Sequence, residues 1–280
     1  MDFFEAIIMG VIQGITEFLP ISSTGHLTVV GKLLDLIESD RQWTSFIAVI
    51  QLGTLISILF YFRKEIIQIS FEFVKDNLIS RKKFESQGGN AKMGWMIIIG
   101  TIPVVIIGLV FKDVIEGALT KNLYVIATSL IVLAIILAIA EVTAKFQKDI
   151  EDITIKDALI IGLAQSVSLI PGSSRSGTTI TGGLFTGLNR EAAARFSFLL
   201  SIPAIFASGM LQLYQSLKYI DTQGMLNILV ATFFSTVAGY LAIDFLLKYL
   251  KRRTTVLFIV YRIALGIIIL LLLSFDVIQP

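Results

Sequence analysis

Long apolar runs recur through this chain of 280 residues. A helix needs about 20 apolar residues to cross roughly 30 Å of hydrocarbon, and several runs approach that length. Hydrophobic residues make up 55% of the sequence and its mean hydropathy is +0.83, well above what one soluble core requires. We therefore predict an all-α polytopic membrane protein with one integral membrane domain over residues 1–280. Six transmembrane helices are predicted, over residues 45–62, 93–111, 123–142, 196–215, 225–247 and 256–275.

Two further apolar segments, residues 3–35 and 154–188, do not fit as spans. Each is broken in its middle by Pro, Ser and Gly, in LPISSTG at 19–25 and in IPGSSRSG at 170–177. Neither half is long enough to cross, and irregular backbone at membrane depth is tolerated only where protein or water surrounds it. The sequence therefore predicts two re-entrant helix pairs.

The two broken segments resemble each other. Gly-x-x-Gln occurs at 10–13 and again at 162–165, and Pro-x-Ser-Ser occurs at 20–23 and again at 171–174. One residue fewer separates Gln from Pro in the second copy. Similarity of this kind indicates an internal repeat.

Each copy continues into three predicted spans, so repeat one covers residues 1–142 and repeat two covers residues 154–275. Because three is odd, the second copy enters from the opposite face. An inverted-topology repeat follows, with both termini outside and a site near the midplane where the broken helices meet. Sixteen Lys and Arg residues lie in the predicted inside loops and four in the predicted outside loops, as the positive-inside rule requires. The inside loops are 63–92, 143–157, 189–195 and 248–255, and the outside loops are 35–44, 112–122 and 216–224.

The first broken segment carries an unusual polar cluster, EFLPISSTGHL at 17–27. Gln13 and Glu17 are four residues apart and share one helix face. A membrane-embedded Glu17 needs a cation, a metal or a proton. The only histidine of the chain, His26, titrates near neutral pH and follows directly. Three hydroxyls complete the cluster, those of Ser22, Ser23 and Thr24.

The second broken segment carries the loop PGSSRSGTT at 171–179. Free amides at a helix start, hydroxyl donors and the planar fork of a guanidinium together suit a phosphate group. The loop is not a Walker motif, because G-x-x-x-x-G-K-[ST] is absent. The predicted substrate-binding residues of this loop are Ser173, Ser174, Arg175, Ser176, Gly177, Thr178 and Thr179.

The two clusters together predict one site. A carboxylate beside an anion cradle calls for a divalent cation, and Mg²⁺ or Ca²⁺ prefers oxygen ligands. Arg262 lies within the last predicted span and is expected to pair internally or to line this cavity, and Gln51 lies within the first span, from which it could reach the same cavity. Both are predicted substrate-binding residues, as are Gln13, Ser22 and Thr24. The net charge of +2 is too small to indicate a nucleic-acid partner.

These residues resemble a known family. GVIQGITEFLPISSTGHL at 10–27, PGSSRSGTTITGGL at 171–184, IQLGT at 50–54 and YR at 261–262 are similar to the undecaprenyl-pyrophosphate phosphatase family, intramembrane enzymes also known for bacitracin resistance. The resemblance implies hydrolysis of undecaprenyl pyrophosphate to the monophosphate at the outer face of the bacterial cytoplasmic membrane. This reaction recycles the lipid carrier for peptidoglycan and other wall polymers.

The resemblance also implies roles for single residues. The family has Glu or Gln at the position of Gln13 and Glu at that of Glu17, so these two are the expected metal ligands. The family's reactive residues map to Ser23 and His26, and its phosphate-loop residues map to Ser174, Arg175 and Thr179. Attack on phosphorus by Ser23, by His26 or by water stays open at this point. A transporter or flippase for an anionic lipid or phosphate compound is the alternative function, and a homodimer is left open.

Overall fold

The computed structural model describes residues 1–37, 40–111, 115, 122–217 and 222–279. Within these ranges the chain forms eleven α-helices, and its only β-type pairing is an isolated bridge between Lys148 and Leu188. The predicted all-helical class is therefore confirmed. Parts of all three predicted outside loops lie beyond the described residues, over 38–39, 112–114, 116–121 and 218–221.

The helices follow the predicted order closely. Five are long and apolar enough to cross a membrane, and a sixth crossing is counted when the pair Ser45–Tyr61 and Arg63–Ile79, bent by 79°, is taken as one span. The chain is thus a multi-pass membrane protein, as predicted. In chain order the helices are α1 Phe3–Phe18, α2 Ser23–Leu33, α3 Asp40–Tyr61, α4 Arg63–Val74, α5 Gly89–Val110, α6 Leu123–Thr143, α7 Ile155–Val167, α8 Arg175–Phe185, α9 Arg190–Ser216, α10 Thr222–Leu250 and α11 Val256–Ser274.

The sequence did not predict α4. Residues 63–92 are rich in charge and were expected to form a loop, but residues 63–74 form a helix that continues into a short π-helix, Lys75–Ile79. Apolar Ile67, Phe71 and Val74 recur at helical spacing on an exposed face. The interleaved charges make this helix too polar to be recognised by the apolar length of a span.

Both broken segments form a pair of helices, α1–α2 and α7–α8, and both pairs begin with the same capping device. At the start of α1, Asp2 accepts from the Glu5 backbone amide while the Glu5 side chain accepts from the Asp2 amide. At the start of α7, Thr154 and Asp157 form the same reciprocal capping box. These bonds satisfy amides that have no partner within the helix, so each broken segment starts at a defined residue.

Both pairs also turn in the same way. Ser22 has φ 76° and its Oγ accepts a hydrogen bond of 3.2 Å from the amide of Gly25. Ser174 has φ 68° and its Oγ accepts an equal bond from the amide of Gly177. Positive φ is costly for a residue with a Cβ and persists where the surrounding structure enforces it.

The structural pairing differs from the one that the Pro-x-Ser-Ser motif suggested. Ser22 corresponds to Ser174 rather than to Ser173, because both cap the second helix of their pair. Ser22 lies nine positions after Gln13, and Ser174 likewise lies nine positions after Gln165. The residue missing before Pro171 is restored by the Gly172 that follows it.

The repeats pack into each other rather than side by side. Helix α1 packs against α10 and α7 packs against α5, so the first helix of each pair contacts the other repeat. A Cβ at Gly10 would lie 2.3 Å from the Ala231 carbonyl oxygen, and one at Gly162 would lie 2.2 Å from that of Gly100. Such close backbone approach requires glycine. The reciprocal packing fits an internal repeat, while the opposed orientation of the copies and the limits 1–142 and 154–275 stay predictions.

Candidate active site

Glu17 receives hydrogen bonds from two side chains of its own repeat. Its side chain is buried, with 7% of the residue exposed. Ser23 Oγ donates to Glu17 Oε2 over 2.7 Å, and Gln13 Nε2 donates to the same oxygen over 2.9 Å. The turn after α1 folds α2 back, and this places the Ser23 hydroxyl against a carboxylate six residues earlier.

Repeat two supplies the cation that faces this carboxylate. Arg175 Nη2 lies 3.7 Å from Glu17 Oε1 and 3.4 Å from Gln51 Oε1 on α3. The guanidinium offsets part of the cost of burying this carboxylate. Arg175 Nη1 is buried without a hydrogen-bond partner. Buried donors are normally satisfied, so this nitrogen lacks a partner that a bound anion would supply.

The two turns touch directly. Ser176 Oγ donates to the Leu19 carbonyl over 3.1 Å and lies 3.2 Å from Ser174 Oγ. The structure therefore brings together the two polar clusters that lie more than a hundred residues apart in sequence. Thr24 is half-buried at the second position of α2.

His26 is held away from the Glu17–Ser23 pair. Its Nδ1 lies 2.7 Å from the Ser22 carbonyl, which can only accept, so Nδ1 carries the proton. Its Nε2 lies 2.6 Å from the hydroxyl of Tyr261, which therefore donates to it. The two rings are nearly parallel, with centroids 5.6 Å apart. Tyr261 was not among the predicted site residues, and its only signal was its place in the YR pair.

The two threonines of the loop hydrogen-bond to their own helix. Thr178 Oγ1 and Thr179 Oγ1 donate to the Arg175 carbonyl over 3.0 and 2.7 Å. Thr179 Oγ1 also lies 2.6 Å from Ser197 Oγ on α9, a partner that the sequence did not suggest. These contacts fix the first turn of α8, from which Arg175 projects. Direct binding of substrate by Thr178 and Thr179 stays a prediction.

Arg262 is a second buried cation beside the phosphate loop. It is fully buried in α11, and its Nη2 donates to the Ser173 carbonyl over 2.9 Å. Its Nε and Nη1 have no partner, and Ser173 Oγ also lacks one. A Cβ added to Gly177 would lie 2.6 Å from Arg262 Nη1, so the guanidinium sits against the start of α8. Buried donors of this kind are normally satisfied, which indicates an anionic ligand.

A divalent cation finds a partial ligand set here. Gln13 Oε1 is buried without a partner and lies on the residue that contacts Glu17, so the two oxygens fit a hard cation. Among the described residues no three His, Cys, Asp or Glu side chains form a metal-binding group. Further ligands would come from phosphate oxygens. Mg²⁺ or Ca²⁺ stays a prediction.

Fold and site define a class: a polytopic helical membrane protein with a buried carboxylate–serine pair that faces Arg175, and with a second buried arginine, Arg262, against the adjoining loop. The family model for the Bacitracin resistance protein BacA matches residues 6–268. The chain belongs to this family.

Curated relatives cover the whole length. A protein of Syntrophobacter fumaroxidans named undecaprenyl-diphosphatase is 52% identical over 268 residues, which is 95% of each chain. A protein of Chlorobium phaeovibrioides with the same name is 51% identical over 289 aligned positions, covering 100% of both chains. One from Chlorobaculum tepidum, also so named, is 51% identical over 95% of each chain.

Proposed function

We propose that this chain hydrolyses undecaprenyl diphosphate to undecaprenyl phosphate and inorganic phosphate. Membership of the BacA family and relatives named undecaprenyl-diphosphatase support this activity. The observation that carries it is the hydrogen bond from Ser23 Oγ to Glu17, opposite Arg175. A hydroxyl, a base and a cation in contact are the parts that phosphoryl transfer to a nucleophile needs.

The proposal includes where the reaction occurs. The site faces the outer side of the bacterial cytoplasmic membrane and both termini are outside. The uneven distribution of Lys and Arg over the loops supports this orientation. At that face the product lipid phosphate is released as a carrier for peptidoglycan and other wall polymers.

Binding uses the donors that lack partners in the protein. Arg175 Nη1, Arg262 Nε and Nη1, and Ser173 Oγ are all buried and unpaired. They surround the start of α8, where amides add to an anion site. We assign them to the terminal phosphate. Glu17 and Gln13 would hold a divalent cation, which neutralises charge on the diphosphate when bound.

Ser23 is the nucleophile in this proposal. Its Oγ attacks the terminal phosphorus, and its proton moves to Glu17 and from there to the leaving lipid phosphate as the bridging P–O bond breaks. The geometry favours Ser23 over His26, because both His26 nitrogens are already hydrogen-bonded and neither contacts Glu17. His26 instead holds the Ser22 carbonyl and so positions the neighbouring Ser23.

Water completes the reaction. Glu17 takes a proton from a water that attacks the phosphoseryl phosphorus, the bond from phosphorus to Ser23 Oγ breaks, and the proton returns to Ser23. Inorganic phosphate leaves with the oxygen of water. The same carboxylate serves both steps, as expected for a base held by two donors and one cation.

Phosphate release in detergent tests the proposal. Purified protein, undecaprenyl diphosphate and Mg²⁺ should yield phosphate without a second compartment, which excludes transport as the signal. Ser23→Ala should reduce release at least about 10³-fold, within the range for loss of an activated nucleophile. The matched control Ser208→Ala, an exposed α9 serine, should not change it. No release by wild type would overturn the phosphatase assignment.

A further inference from the structure

An apolar groove ends at the phosphate loop. It encloses about 500 Å³ between the end of α5, the start of α6 and the end of α7. Among the described residues that line it none is charged, and Ser166 is the only polar one of these. The residues that matter here are Ile107, Phe111, Val125, Leu163, Ile170 and Pro171.

The groove and the loop are joined along the chain. Ile170 and Pro171 line the groove, and Ser173 of the anion site follows two residues later. Because successive Cα atoms are 3.8 Å apart, Pro171 and Ser173 lie within about 8 Å of each other. The two surfaces are therefore parts of one continuous turn.

The same junction forms across the fold. Val125 lines the groove, and its neighbour Ile126 lies against Gly172, where a Cβ would be 2.5 Å from the Ile126 carbonyl oxygen. Gly25, at the start of α2, also faces Ile126, 3.4 Å from its Cγ2 by the same measure. At the start of α6, the single residue Ile126 therefore lies between the groove and the start of α2.

We propose that this groove holds the first isoprene units of the polyprenyl chain while the diphosphate lies on the loop. The inference rests on the proposed function. The occupant must carry an anionic head and an apolar tail joined directly, because the anion donors and the groove adjoin. Ile170, Leu163 and Phe111 are about half exposed, so the outer part of the groove opens to lipid and the chain can continue outwards.

A second apolar groove provides the matched control. It lies between α4, α5 and α9 and encloses about 700 Å³, and its lining includes no residue of the α7–α8 loop. Val105 lines it on α5, the same helix that contributes Ile107 to the first groove. A tryptophan at Val105 adds the same bulk to a lipid-facing groove away from the site.

The test measures phosphate release against chain length, using diphosphates with one, three and eleven isoprene units. Val125→Trp and Ile170→Trp fill the groove from two different elements. Each should raise KM about tenfold for the three- and eleven-unit substrates and by a smaller factor for the one-unit substrate, which fills only the start of the groove, with kcat changed less than about twofold. Val105→Trp should match wild type throughout. Thermal unfolding identifies any variant that fails to fold. If one of the two groove variants does not fold, the KM values of the other test the proposal.

Labelling adds a readout that does not depend on turnover. A polyprenyl diphosphate with a photoreactive group on its second isoprene unit should label α5, α6 or α7 of the wild-type protein, and Val125→Trp should suppress that labelling.

Three outcomes would overturn the proposal. Equal KM values for the groove variants and Val105→Trp at every chain length would overturn the tail site alone, as would labelling confined to α2 and α11. Absence of phosphate release by wild type from any of the three substrates would overturn the proposed function and this site with it.

Discussion

The two broken helix pairs, α1–α2 and α7–α8, share one backbone design and carry different side chains at the site. Each has a capped first helix, a serine with positive φ at the turn, and a second helix whose first residue points into the site. That first residue is Ser23 in one pair and Arg175 in the other. The comparison teaches that the repeat provides placement, while single substitutions divide the site into a reactive half and an anion-binding half.

The first helices differ in the same sense. Gln13 precedes Glu17 in α1, and its counterpart Gln165 precedes Leu169 in repeat two. Gln13 donates to the carboxylate, whereas Gln165 is fully buried with both polar atoms unpaired. Repeat two therefore has the glutamine, Gln165, but has Leu169 in the place of the glutamate. Only repeat one provides a base.

Loss of the carboxylate of Glu17, which only the first helix pair carries, should have the largest effect on activity. Glu17→Gln keeps the shape and the contact to Ser23 but removes the proton acceptor and the charge opposite Arg175. We expect kcat for phosphate release to fall about 10³-fold, within the range for general-base removal. Glu85→Gln on an exposed turn is the control and should leave kcat unchanged. A fall of less than tenfold would remove Glu17 from the chemistry.

The anion half should be sensitive to geometry as well as charge. Arg175→Lys retains the positive charge but loses the fork that reaches Glu17 and a phosphate together. We expect kcat/KM to fall about 10²-fold, with Arg252→Lys on the exposed surface as the control. Full activity of the lysine variant would show that Arg175 acts only as a point charge.

The shared turn should respond equally in both halves. Ser22→Ala and Ser174→Ala each remove one cap from the second helix of a pair. Each should lower the free energy of unfolding by about 1 kcal/mol, the usual cost of a lost N-cap. Denaturant unfolding in detergent measures both. A difference of more than about 1 kcal/mol between them would contradict the structural pairing of these serines.

The start of α7, outside the membrane-spanning helices, should give a small pH effect. Burial acts to raise the pKa of Asp157, but hydrogen bonds from Lys148 and Thr154 outweigh it and hold the pKa below its ordinary value. Stability from a lowered pKa is present above the unfolded value, about 3.9, and is lost as pH falls through the folded value. Asp157→Asn should lower Tm by about 2 °C at pH 7. That difference should disappear at low pH, and its persistence there would contradict the ion pair.

Much of the fold could be predicted from apolar run length and from the polar breaks within two runs. Helix α4 could not, because its charges lie between the apolar residues that form its exposed face. The Pro-x-Ser-Ser motif aligned Ser22 with Ser173, but the structure pairs Ser22 with Ser174. The motif alignment was wrong because the second copy has one residue fewer before its proline and one more, Gly172, after it. A motif comparison does not reveal which serine caps a helix.

The site was less predictable than the fold. The sequence indicated that Glu17, Ser23 and Arg175 belong together, but not that Ser23 donates to Glu17, since that contact depends on how the turn reverses the chain. Tyr261 and Ser197 come from distant helices, and apart from the YR pair at 261–262 no sequence signal indicated either. Their contacts to His26 and Thr179 follow from packing alone.

Trapping the covalent intermediate tests most directly whether Ser23 of the first helix pair is the nucleophile. Wild-type protein mixed with terminally labelled undecaprenyl diphosphate is quenched within one turnover, in acid and in alkali, and its peptides are analysed by mass spectrometry. The account predicts an acid-stable phosphate on Ser23, absent from Ser23→Ala. An acid-labile phosphate on His26, or near-wild-type turnover of Ser23→Ala, would contradict it.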